Sequence, residues 1–113
     1  MDRNNDIKLV RMKNAANILF TDIKTHTFAA EMIILFGSVA NNNINEYSDM
    51  DICIVSDEDL SIKQKRDIEN YFYDTTQNEF ELDFIYCDKN KLINGSQVFE
   101  SIRKDGKVIY GRL

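Results

Sequence analysis

The chain has 113 residues, with 14 Lys and Arg against 19 Asp and Glu and a formal charge of −5. That length leaves room for one hydrophobic core, so we expect a single domain over residues 1–113, and the acidic balance excludes the basic stripe that a nucleic-acid groove requires. Hydrophobic residues at 43% and aromatics at 11% suffice for a packed core and exclude global disorder, while the longest apolar run, Met32 to Phe36, is far too short to cross a bilayer.

The first residues, Asp2 to Asp6, are polar and carry no signal-peptide pattern. Leu9, Met12, Ala16, Leu19 and Ile23 then recur at helical spacing, which predicts an amphipathic helix from about Asp6 to Lys24. His26 has no Cys and no second His near it and reads as a solvated loop residue rather than a ligand or a base. The run Met32-Ile33-Ile34-Leu35-Phe36, closed by Gly37, predicts a buried strand. Asn41 to Ser48 is a polar, turn-forming connection, and Met50 to Val55 predicts a second strand.

Asp57-Glu58-Asp59 reads as a solvated acidic cluster ahead of a helix, and Ser61-Ile62-Lys63-Gln64 has the spacing of a capping box. With Ile68 and Phe72 on one face, a second helix is expected from Ile62 to about Thr76. Leu82 to Tyr86 predicts a third strand. Ser96 to Asp105 predicts a last helix, with Gly106 at the place of a left-handed C-cap, and Lys107 to Tyr110 a short terminal strand. Such an alternation calls for an α/β (α+β) fold, a small mixed β-sheet with flanking helices. Cys53 and Cys87 sit in apolar segments and read as buried free thiols, which fits a reducing compartment and a cytoplasmic location.

Asp49 and Asp51 are two residues apart on a predicted strand, so their side chains leave the same face and converge. Two ionised carboxylates held that close repel unless a cation lies between them. A pair of Mg²⁺ ions roughly 3.5 to 4 Å apart can clamp the attacking and leaving oxygens of a phosphoryl transfer. Both carboxylates interleave with Met50, Ile52, Ile54 and Val55, where unpaired charge is costly, and Asp83 repeats the anomaly between Leu82 and Phe84. The residues alone leave two readings open: a metal site at a strand end, or carboxylates that pair with Lys, Arg or backbone donors or face water. Gly37-Ser38 favours the first, since Gly lets a backbone approach a phosphate and the Ser hydroxyl and following amides can donate to it.

Together, Leu35-Phe36-Gly37-Ser38-Val39-Ala40, ten residues between Ser38 and Asp49, and Ser48-Asp49-Met50-Asp51-Ile52-Cys53-Ile54-Val55 resemble the nucleotidyltransferase superfamily typified by DNA polymerase beta. Within it the chain is most similar to the minimal nucleotidyltransferases (MNT), and the ending Ser101 to Tyr110 is similar to that group's usual C-terminal segment. The resemblance implies a nucleotidyltransferase core in which Asp49 and Asp51 hold both Mg²⁺ ions. Asp83 would help bind one of them and activate the acceptor, and Gly37 and Ser38 would lie at the phosphates of ATP. It further implies the antitoxin of a toxin–antitoxin pair, which transfers AMP from ATP to a hydroxyl of a helical HEPN ribonuclease toxin, with a hetero-oligomer as the possible assembly. One departure is that Asn41-Asn42 follow Ala40 where many relatives have Arg-Gly. This removes a basic contact to the triphosphate unless a Lys or Arg from elsewhere in the chain or from the partner replaces it, and so bears on the strength of nucleotide binding and on turnover. Two alternatives are an antitoxin that neutralises its partner by binding alone, and nucleotidyl transfer to a small molecule.

Overall fold

The computed structural model describes residues 3–37, 49–77 and 80–111. Helix α1 (Arg3–Asp22) runs into a 3-10 turn (Ile23–Thr25) and is followed by β1 (Met32–Phe36), β2 (Met50–Val55), α2 (Ile62–Thr75), β3 (Leu82–Cys87), α3 (Lys89–Asn94), α4 (Val98–Asp105) and β4 (Lys107–Gly111). The strands form one mixed sheet in the order β3-β2-β1-β4. β1 pairs antiparallel with both β2 and β4, whereas β2 and β3 are parallel and joined through α2.

Alternation along the strands divides the core between the two faces of the sheet. Ile33, Leu35, Met50, Ile52 and Ile54 meet Ala15, Ala16 and Leu19 of α1 and Ile68 and Phe72 of α2 on one face. Met32, Ile34, Phe36, Cys53 and Val55 meet Leu92 of α3 and Ile102 of α4 on the other. All of β1 is buried, and β2 is buried except at Asp51. The edge strand β3 is half-buried and carries Asp83 exposed.

β1 and β2 match the expected residues, and α2 begins at the capping box, with Gln64 N–H donating to Ser61 Oγ at 3.0 Å and Ser61 N–H donating to Gln64 Oε1 at 2.8 Å. Other boundaries differ. α1 starts three residues earlier than the apolar spacing requires, and its last turn tightens to 3-10 at Ile23. α4 starts at Val98 rather than Ser96, because Gln97 takes a positive φ of 57°. Gly106 ends α4 in an extended conformation, φ −69° and ψ 148°, not a left-handed one. Glycine is needed there for space, since a Cβ would collide with the Ile102 carbonyl and lie 2.7 Å from Ile34 Cγ2.

Asp57 is not simply solvated: Lys89 N–H donates to its Oδ1 at 2.9 Å, which anchors the start of α3 against the loop after β2. His26 is a half-exposed loop residue, as expected, but it is held, 3.2 Å from Asp22 Oδ2 and 4.7 Å from the Tyr71 ring centroid.

Candidate active site

The carboxylates gather at one end of the sheet, where β1 finishes and where β2 and β3 begin. Phe36, Asp51 and Asp83 lie level across β1, β2 and β3, so their side chains share the face that α3 and α4 cover in part. Asp49 immediately precedes β2 and is half-buried, and Met50 N–H donates to the Glu81 carbonyl at 3.0 Å, fixing the starts of β2 and β3 together. The row is thus graded, from buried Phe36 through half-buried Asp51 to exposed Asp83.

That gradient has an electrostatic consequence. Burial pushes the Asp51 carboxyl up from its ordinary 3.8 to about 6, with smaller contributions from the negative charges of Asp83 and then Asp49. Among the described residues no Lys, Arg or His forms an ion pair with any of the three aspartates. Of the alternatives left open by the sequence, pairing with a basic side chain is not seen among the described residues, whereas Asp83 does face water.

Gly37 is fitted to Asp51. Its φ of +76° lies in the left-handed region, and a Cβ at this position would collide with Asp51 Oδ2, so the chain can turn over the carboxylate only as glycine. Ser38 lies outside the described residues, as does the connection from Val39 to Ser48. No cluster of three or more His, Cys, Asp or Glu side chains able to hold a metal ion occurs among the described residues. The carboxylates influence one another without converging on one point. The donor set still fits a divalent cation, being hard oxygen ligands with a mutual repulsion that only positive charge relieves. Phe36, the last apolar residue before Gly37, is buried and lies level with Asp51 on the neighbouring strand.

A family model for polymerase beta nucleotidyltransferases matches residues 20–112. The chain belongs to the polymerase beta nucleotidyltransferase family. The matched span contains Gly37, Asp49, Asp51 and Asp83, and the mixed sheet with flanking helices is the fold expected of this family. A search of curated proteins finds no significant match.

Solved structures share the nucleotidyltransferase fold at low identity. One, a toxin–antitoxin crystallised with AMP-PNP, has a TM-score of 0.54 and 20% identity, over 88% of this chain and 73% of that one. A mutant of the toxin–antitoxin complex MntA–HepT has a TM-score of 0.51 and 19% identity over the same shares. A protein from Sulfolobus solfataricus described as a candidate nucleotidyltransferase has a TM-score of 0.54 and 18% identity, over 99% of this chain and 91% of that one. No helix among the described residues is long and apolar enough to cross a membrane.

Proposed function

We propose that this nucleotidyltransferase moves AMP from ATP to a hydroxyl of a partner protein, and that the partner is a HEPN-type toxin for which it serves as the antitoxin. The observation that carries the reading is the half-buried Asp51 carboxyl, level with Asp83 on the next strand, beside Asp49, and lacking a cationic side chain among the described residues. Such a group favours a divalent cation that arrives with a polyphosphate. Support for ATP and for a toxin partner comes from the structural neighbour that is a toxin–antitoxin with AMP-PNP.

In this reading Asp49 and Asp51 would hold Mg²⁺, and Asp83 would complete the set for one ion once the site closes around it. When bound, Mg²⁺ neutralises charge on the phosphate oxygens and on the leaving pyrophosphate. Gly37 lets the backbone come close to the phosphates, and Ser38 donates to them. The acceptor hydroxyl attacks the α-phosphorus, the bond to the β-phosphate oxygen breaks, and pyrophosphate leaves. Asp83, exposed on the edge strand, takes the hydroxyl proton and passes it to water. The free thiols Cys53 and Cys87 suit a reducing compartment, and we place the protein in the cytoplasm.

A second reading, neutralisation by contact alone, is favoured by the lack of a converged metal-holding cluster among the described residues. One experiment separates the two. The partner is incubated with this chain, ATP and Mg²⁺, re-isolated under denaturing conditions and weighed intact. Transfer adds the mass of one or more AMP units, and the loss of toxin activity persists after separation. A partner of unchanged mass that regains full activity would overturn the transfer reading and leave contact inhibition.

A further inference from the structure

Cys53 and Cys87 lie on the adjacent parallel strands β2 and β3, on the sheet face that also bears Asp51 and Asp83. Cys53 is level with Ile85, and Cys87 with Val55, so the two thiols meet on a diagonal. Their sulfurs are 3.7 Å apart, in van der Waals contact, and both are free. They differ in access. Cys53 is fully buried, whereas Cys87, the last residue of β3, is half-buried.

We propose that Cys87 and Cys53 form a peroxide-reactive dithiol, with Cys87 the attacking sulfur and Cys53 the resolving one, that closes into an intramolecular disulfide between β2 and β3. In the first step the Cys87 thiolate attacks one oxygen of hydrogen peroxide. An S–O bond forms, the O–O bond breaks, and the departing hydroxide takes up the thiol proton as water, leaving a sulfenic acid. In the second, the Cys53 sulfur attacks the sulfenic sulfur, the S–S bond forms and the S–O bond breaks. The hydroxyl leaves as a second water with the Cys53 proton. Two thiols thus lose two electrons, and one peroxide becomes two waters.

The order of attack follows from the surroundings. Cys87 is the less buried of the two thiols, and the hydrogen bond with Cys53 holds it below its ordinary range. A disulfide needs the sulfurs at about 2.05 Å, an approach of about 1.7 Å from their present separation. The movement falls where the chain can give: Cys87 is the last residue of β3, and Asp88 beyond it is already the N-cap of α3. Cys53, in the middle of a buried strand, stays in place. The proposal does not depend on the nucleotidyl-transfer reading.

The test uses the full reduced chain exposed to hydrogen peroxide, then denatured in an alkylating agent and weighed intact. The expected product is a monomer lighter by about 2 Da that takes no alkyl label, and dithiothreitol restores two labels. Its melting temperature rises, because the crosslink restricts the unfolded chain. Cys53→Ala should stop at a Cys87 sulfenic acid trapped by a sulfenate-selective reagent. Cys87→Ser should react with peroxide about tenfold more slowly or less, since the remaining thiol is buried. The proposal is overturned if the native chain keeps two labels after peroxide, if it forms only intermolecular dimers or higher oxides of Cys87, or if Cys87→Ser reacts as fast as the native chain.

Discussion

Asp51→Asn isolates the electrostatic cost of the carboxylate row. Its carboxyl is raised from 3.8 to about 6, so the folded state holds a proton there that the unfolded state has already lost. The cost of ionising it is therefore absent below about pH 3.8, grows between about pH 3.8 and 6, and is complete above that range. At about 1.4 kcal/mol per pH unit the shift corresponds to at most about 3 kcal/mol. Asp51 is only half-buried, and screening by solvent reduces the figure to about 1 kcal/mol. The amide keeps the side chain's shape and removes its charge. The variant should melt about 5 °C higher than the native chain at about pH 7.5 in chelator, and the difference should vanish near pH 4. Adding Mg²⁺ with ATP should raise the melting temperature of the native chain and leave the variant nearly unchanged. A melting difference of the same size at both pH values, or a variant less stable than the native chain at neutral pH, would refute the account of Asp51 as an uncompensated charge.

Gly37→Ala brings a Cβ onto Asp51 Oδ2 in a left-handed backbone conformation, and we expect it to lose about 1–3 kcal/mol of stability, with weaker Mg²⁺–ATP binding, read by thermal melting and calorimetry. Native-like binding by a folded Gly37→Ala chain would show that the close approach has no role at the site. Ser61→Ala removes one half of the capping box of α2, far in sequence from the carboxylates, and should cost about 1 kcal/mol, with ATP binding unchanged. Urea titration checks the first part and calorimetry the second.

The parts of the fold legible in the sequence are those whose signals are local. β1 and β2 are apolar runs closed by Gly37 and by polar loops, and the start of α2 is written in Ser61 and Gln64. α3 was not expected at all. It has six residues, too few to show a period, and a single buried side chain, Leu92. Its start is secured by the Asp88 cap and by Asp57 from another part of the chain, and no local pattern reports the second of these. At the candidate site, the shared face of Asp49 and Asp51 follows from a spacing of two. The alignment of Asp51 with Asp83 does not, because it depends on the parallel register of β2 against β3 across the whole of α2. The glycine at position 106 was legible as a helix stop, but its reason was tertiary, the close approach of Ile34.

The position of the row also explains how the sheet tolerates it. β2 has a neighbour on either side, and its Met50, Ile52, Cys53, Ile54 and Val55 are fully buried. Burying one such side chain as large as isoleucine contributes about 2 kcal/mol, more than the cost of about 1 kcal/mol assigned to Asp51 after screening. A central strand can therefore hold a half-dry carboxylate in a fixed place without help from a basic partner among the described residues, and what remains is a standing attraction for a cation. The edge strand β3 has no such surplus, being only half-buried, and its aspartate faces water. An exposed carboxylate has little drive to capture a metal by itself, but it is open to an acceptor group that approaches from solvent. The proposed division of labour, in which Asp51 with Asp49 takes the larger share of the cation and Asp83 also takes the acceptor's proton, thus follows the order of the strands rather than any difference between the side chains.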